Sequence, residues 1–384
     1  MMKASLFDKE IYKDPYPMFK NWREESPVVF DEERNTYALT KYEDISFAFK
    51  SPELFTSAKG ARANGIPQPF MIDADDPSHR QQRRVVERSF TPGQMAYYSN
   101  QIEGITRKLL LARCEHGEFD LVEHVLHPLP VISIGKILGV PDEDYYLLQK
   151  WGQAMVEGAD GWENVTNDVI SAVLEWYEYF DNLAKFKRDN PDGGLISQLL
   201  SAHYDDGDIS YNQASGNALA LLIGGNETAR YLLSNSMFEL LSNRGNFERL
   251  VKDRSLIDPA VDECIRYCVP VVSSIRYATQ DIQIRDSLIN KDSQVMLIIP
   301  SANRDRDVFD DPENFDITRH PNKHIGFGFG IHYCLGASLA RMQLKVVIEQ
   351  IISVCRNIEI VDNFVPDFKY GTFLRGVKNL EVVV

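Results

Sequence analysis

The chain has 384 residues, 44% hydrophobic and 25% charged, a balance typical of folded globular proteins and unlike disordered, collagen-like or disulfide-scaffold chains. Its 56 acidic residues against 41 basic ones leave a formal charge of −15, the wrong sign for a nucleic-acid binder, which needs a basic footprint. At about 150 residues per domain the length allows two or three domains or one large core, and no Pro-, Gly- or Ser-rich linker or repeat divides it.

The start, Met1-Met2-Lys3-Ala4-Ser5, runs into acidic and aromatic residues without a signal-peptide stretch. The most apolar segments, 129–140 (interrupted by Lys136) and 218–225, fall short of the roughly 20 residues of a membrane span, so a cytoplasmic protein with no membrane span is expected. Five scattered cysteines, Cys114, Cys264, Cys268, Cys334 and Cys355, suit a reducing compartment better than a disulfide framework. Cys264 and Cys268, one helical turn apart, read as small core hydrophobes.

Segment 27–41 alternates apolar and polar residues around a charged turn and predicts a β-hairpin. In HRQQRRVVER, His79 and Arg83 share one helical face behind Pro77, a helix-start signal, with Arg80, Arg84 and Arg88 on a rotated face. From 211 to 243 a proline-free run predicts a helix of about 45 to 50 Å, its middle (ALALLIGGNETARYLL) apolar almost all round, as in a buried helix. Gly224 and Gly225 there cost about 1 kcal/mol each relative to Ala. They serve either close packing against another helix or a cofactor lying on a bare face beside an irregular turn. Strands are expected at 275–299 and 380–384, giving a mainly α protein with a minor β portion gathered from both ends.

In HIGFGFGIHYCLG, residues 324–336, glycines bracket Cys334 ahead of a strongly helical run at 337–352. A helix entrance lowers a thiol pKa and stabilises a thiolate, which attacks or binds a metal. The glycine spacing does not fit a dinucleotide loop. A zinc site would lack three further ligands, and Pro321 separates His320 from His324. A nucleophile with His332 as base stays open beside a metal ligand.

Phe327, Gly330, Cys334 and Gly336 follow the pattern F-x-x-G-x-x-x-C-x-G. In this the chain resembles the cytochrome P-450 monooxygenases. The E-x-x-R pair Glu263 and Arg266, the segment PENFDITR ending in Arg319, and Gly224-Gly225-Asn226-Glu227-Thr228 follow in the family's order. The resemblance implies a single cytochrome P-450 domain over 1–384, with a long central helix above the distal haem face and a proximal Cys-ligand loop. It makes Cys334 the axial ligand of the iron of haem b (iron protoporphyrin IX), a thiolate whose electron donation favours O–O cleavage of dioxygen. Phe327, Gly330 and Gly336 shape the loop, and Gly224 and Gly225 lie against the cofactor. His79, Arg83, Arg276 and His332 meet its propionates. Glu263, Arg266 and Arg319 form a buried network holding the loop, although alone Glu263 and Arg266 would read as a solvated i,i+3 pair. Thr228 hydrogen-bonds dioxygen and water, and Glu227, where many relatives carry Asp, connects them to solvent protons.

The family's pocket falls on Phe70, Met71, Leu221, Gly225, Val271, Val272, Ile275, Phe373 and Leu374, mostly apolar, which implies hydroxylation of a hydrophobic small molecule such as a lipid, steroid side chain, terpenoid or secondary metabolite. NAD(P)H electrons would arrive through a separate ferredoxin or flavodoxin with its reductase, the basic strip Arg80, Arg84 and Arg88 docking the acidic partner. Trp151, Trp162 and 157–161 read as a mobile lid or as packing residues. Desaturation, demethylation or oxidative coupling is the alternative chemistry, and a haem-binding sensor or carrier the alternative class.

Overall fold

The computed structural model describes residues 2–3, 5–63, 65–115 and 117–384, with the backbone alone at 2, 3 and 162. Met1, Ala4 and the Trp162 side chain, on which parts of the leader and lid expectations fall, lie outside the described residues. Helix starts follow local chemistry. Asp8 caps α1 (Lys9–Lys13), and Pro15 precedes α2 (Tyr16–Glu25). After α3 (Tyr42–Lys50) and α4 (Ser78–Glu87), Thr91 caps α5 (Pro92–Cys114) by accepting from the Gln94 N–H. The left-handed Gly139 ends α6 (Pro128–Leu138). α7 (Tyr145–Glu157) is followed by α8 (Asn167–Asp189), capped by Thr166, and α9 (Leu195–Tyr204). A capping box of Ser210 and Gln213 opens α10 (Tyr211–Ser242). α11 (Arg244–Lys252), α12 (Ile257–Tyr267), the short α13 (Ile299–Ala302) and α14 (Ala337–Val354) complete the set.

The expected hairpin pairs β2 (Val28–Asp31) with β3 (Thr36–Leu39), Val28 opposite Leu39. It joins a six-stranded sheet in the order β1 (Met2–Lys3), β2, β3, β9 (Gln294–Ile298), β6 (Ser273–Ala278), β4 (Phe55–Thr56). Here β3 and β9 run parallel, so the N-terminal strands share one sheet with strands from residues 273–298, while the C-terminal strand lies in another. β7 (Ile282–Ile284) pairs with β8 (Ser287–Ile289), and β11 (Phe368–Lys369) with β12 (Gly376–Val377). The C-terminal β13 (Glu381–Val383) lies between β10 (Glu359–Ile360) and β5 (Glu118–Asp120). The balance, 57% α against 11% β, is mainly α as expected. No helix among the described residues is long and apolar enough to cross a membrane.

At 32 residues α10 spans about 48 Å. It runs unbroken, without the irregular turn expected near its glycines. The two glycines serve different ends: a methyl on Gly225 would fall 2.8 Å from Ile134 Cδ1 on α6, whereas one on Gly224 meets nothing within 4 Å. Two further expectations are corrected. Cys114 and Cys355, 241 residues apart, form a disulfide, because α5 and α14 pack lengthwise and bring their C-terminal ends together. Trp151 is buried against Trp176 and Tyr179, and segment 157–161 is fastened rather than free. The Asp160 carboxylate accepts from the Phe373 N–H at 2.9 Å and Lys369 Nζ at 3.0 Å, and its carbonyl accepts from the Thr372 hydroxyl. Cys264 and Cys268 are buried, and burial pushes both thiols up.

Candidate active site

The cysteine loop needs its glycines for definite reasons. Gly328 and Gly330 adopt φ of 68° and 71°, left-handed values that side chains disfavour, and a methyl on Gly330 would fall 2.4 Å from the Phe49 carbonyl of α3. The Cys334 N–H donates to the Phe327 carbonyl at 2.9 Å, closing the loop ahead of α14. The Phe327 ring lies under the Arg341 guanidinium, 4.7 Å from its carbon. Cys334 has accessible surface and lines a cavity, yet protein crowds its thiol. The entrance of α14 acts as expected, the Gly336 N–H pulling the thiol pKa down with help from Arg83 and Arg341. Burial outweighs them and the pKa rises; a metal ion bonded to the sulfur would favour the thiolate.

The cavity holds about 300 Å³ between the loop and α10. Ala220, Leu221, Gly224, Gly225, Thr228 and Leu232 form one wall, and Gly326, Phe327, Gly328, Cys334 and Gly336 the other. Thr228 donates its hydroxyl proton to the Gly224 carbonyl at 2.5 Å. Glu227, one residue and about 100° around the helix, points away from the cavity. It is 1% exposed, with Arg230 Nη1 at 3.3 Å and His127 Nε2 at 3.6 Å.

His79, Arg83, Arg276 and His332 gather at one edge of the cavity. Arg276 is buried and among the described residues has no ion pair; its Nη1 donates to Ser274 Oγ at 2.9 Å and to the Ile275 carbonyl at 2.7 Å. Burial lowers its pKa to about 10. The His79 and His332 rings stand 4.3 Å apart. Burial holds both below the ordinary imidazole range, and His332 falls to about 2 through burial and then the charges of Arg276, His79 and Arg83. Arg83 donates to the Ile331 and Tyr333 carbonyls at 3.1 and 2.9 Å, bracing the cysteine loop, while its Nε bonds Glu87. A buried guanidinium without an ion pair (Arg276) beside Arg83 and two imidazoles able to donate hydrogen bonds, and a sulfur on the wall, fit a flat cofactor that carries carboxylates and a metal.

The network behind the loop centres on Glu263, fully buried as is Arg266. Its oxygens accept from Arg266 at 2.7 and 2.8 Å, Arg319 Nε at 3.1 Å, the Asp316 N–H at 2.8 Å and Asn322 Nδ2 at 3.0 Å. Arg266 also donates to the Asn303, Pro312 and Asn314 carbonyls. Asn303 Oδ1 accepts the Ile325 N–H at 2.8 Å, which links the network to the cysteine loop.

Among the expected pocket residues, Met71, Leu221, Gly225 and Val271 line the cavity. Phe70, Val272, Ile275, Phe373 and Leu374 do not, a correction with local causes. Strand neighbours face opposite ways: Ser274 and Arg276 turn to the cavity, so Ile275 packs beneath the sheet with Val272, Trp22 and Met296. Phe70 is covered by Arg62. Leu374 bridges to Val271 and packs with Phe373 against Val156 and Tyr231. Phe49, Ile72, Phe90, Ile134 and Val269 line the cavity unanticipated, and the contact of Ser57 Oγ with His332 Nε2 at 3.2 Å is equally unanticipated. No local motif marks them. Arg80, Arg84 and Arg88 are exposed on or beside α4.

A family model described as Cytochrome P450 matches residues 146–381. The steroid C26-monooxygenase of Mycolicibacterium smegmatis is 32% identical over 364 residues, 94% of this chain and 91% of that protein. The crystal structure of CYP109E1 from Bacillus megaterium in complex with testosterone superposes with a TM-score of 0.90 at 32% identity, covering 98% of this chain and 99% of that one. P450BioI, solved with an acyl carrier protein ligated to hexadec-9Z-enoic acid, gives a TM-score of 0.90 at 28% identity over 98% of this chain and 100% of that one.

Proposed function

Since the chain belongs to the cytochrome P450 superfamily and is a monooxygenase that uses haem and dioxygen on a hydrophobic substrate, we propose that it hydroxylates an extended, uncharged apolar skeleton: a lipid chain, a steroid side chain or a terpenoid. The observation that carries this is the distribution of charge in the cavity. Arg83 and Arg276 stand with His79 and His332 at the cofactor rim, and among the described residues no further charged side chain lines the cavity, so a charged substrate would be buried unpaired. The steroid and acyl ligands of the relatives support the same class.

Haem held by a cysteine thiolate supplies the power to cleave dioxygen, one atom entering the substrate. In this reading the Cys334 thiolate would bind the iron of haem b, and His79, Arg83, Arg276 and His332 would hold its propionates. Phe327 shields the sulfur, and Glu263, Arg266 and Arg319 fix the loop. Gly224 leaves room above the cofactor. Thr228 orients dioxygen and water, and Glu227 passes protons inward from the far side of α10. NAD(P)H electrons come through a ferredoxin or flavodoxin and its reductase, docking beside Arg80, Arg84 and Arg88, close to the loop that Arg83 braces. The setting is the cytoplasm, with residues 1–384 acting as one domain.

The test is a spectral titration of purified ferric protein. Steroids and long-chain lipids should convert low-spin to high-spin absorption, and the reduced, carbon monoxide-bound form should show the strongly red-shifted Soret band of thiolate ligation, lost in Cys334→Ala. A shift induced by polar, charged compounds alone would refute the substrate class.

A further inference from the structure

On the side of α10 turned from the cavity, several buried polar side chains leave atoms unpaired. Among the described residues, Asn226 Oδ1 and Nδ2, Glu227 Oε1, Arg230 Nε and His127 Nε2 make no hydrogen bond. They form one group. Arg230 and His127 flank the Glu227 carboxylate at 3.3 and 3.6 Å. His127 Nδ1 lies 3.5 Å from Gln149 Nε2 on α7. One turn along the same helix is Gly152, where an added methyl would come within 2.9 Å of Asn226 Nδ2. The group is thus enclosed by the entrance of α6, one turn of α7 and one turn of α10. Native proteins rarely leave so many neighbouring buried polar atoms unpaired, and ordered water bonded to two to four of them is the usual remedy.

We propose that this group holds a buried cluster of ordered water, and that His127 is a positioning residue which, with Arg230, fixes the Glu227 carboxylate against that water. The role of Glu227 rests on the proposed function; the water site does not. Glu227 faces this cluster rather than the cavity, so a proton it passes inward is replaced from the cluster, and His127, 12% exposed, stands where the deficit reaches bulk solvent. Nothing in the local sequence marks His127 for this place, 100 residues before Glu227.

High-resolution crystallography of the holoenzyme reads the water directly. Ordered water bonded to Asn226, Glu227 and His127 is expected, displaced from Asn226 in Gly152→Ala; a dry cluster, closed by a direct His127–Glu227 bond, overturns the site. For His127 the readout is the infrared carboxylate band of Glu227, identified by its loss in Glu227→Gln. That band should shift in His127→Leu and return in His127→Gln, which keeps a donor at that point; a band indifferent to His127→Leu overturns the positioning role. Neither measurement needs turnover, so failure of the substrate titration and failure of this proposal are told apart.

Discussion

Replacing Glu263 by Gln removes the charge from a carboxylate that accepts from four residues at once: Arg266, Arg319, Asp316 and Asn322. The Arg266 guanidinium stays fully buried and keeps its three carbonyl acceptors, but its counter-charge is gone. Breaking a buried pair from one side costs about 3 to 5 kcal/mol, and here the amide must also turn an N–H toward at least one donor. Against a total stability of about 5 to 15 kcal/mol the variant should be marginal. Denaturant unfolding of holoenzyme followed by far-UV circular dichroism measures the loss. Since Asn303 links the network to Ile325, the absorption of the haem-thiolate site should fail at lower denaturant than the helices do. A Glu263→Gln protein within about 1 kcal/mol of the wild type, or one whose two signals fail together, would refute the view that this carboxylate carries the cysteine loop.

The adjacent glycines of α10 should respond in opposite ways. Gly225→Ala presses a methyl toward Ile134 and should cost about 1 to 3 kcal/mol less the roughly 1 kcal/mol gained in helix propensity, while Gly224→Ala stabilises the haem-free chain and weakens haem uptake; thermal unfolding and haem titration separate the two. Arg276→Met should stabilise the haem-free chain, because a pKa lowered to about 10 marks a charge buried at a cost of about 3 kcal/mol, yet weaken haem binding; a less stable haem-free variant would contradict this. Burial raises the Glu239 pKa: the folded carboxyl holds its proton to higher pH than the unfolded one, so ionisation costs stability as pH rises. Glu239→Gln should therefore raise the unfolding midpoint at pH 7, the gain vanishing in acid below the ordinary carboxylate range. Reducing the Cys114–Cys355 bond, which closes a 241-residue separation, should cost about 2 to 5 kcal/mol, read as a drop in denaturant midpoint with dithiothreitol that is absent in Cys114→Ser.

What could be read in advance follows from the distance along the chain over which each feature is set. The cysteine loop was legible because its shape demands particular residues locally: a left-handed backbone at Gly328 and Gly330, and no room for a methyl beside Phe49. The ends of α10 were legible through its proline-free run, and the hairpin of β2 and β3 through its alternation. The pocket was only partly legible, and one of its failures was already implied by the geometry. Ile275 and Arg276 are neighbours in β6 and cannot both face the same cavity. On α10 the turn of about 100° from Thr228 to Glu227 carries the acid off the face that lines the cavity. What escaped were meetings between distant segments: Cys355 with Cys114, Ser57 with His332, and His127 with Glu227. These arise where whole helices and loops are laid against one another, a packing result that no residue's own neighbours encode. The last of them lies beside the carboxylate to which we assign proton supply, so the least legible contact is one whose replacement should alter the environment of Glu227 while leaving the cavity wall untouched.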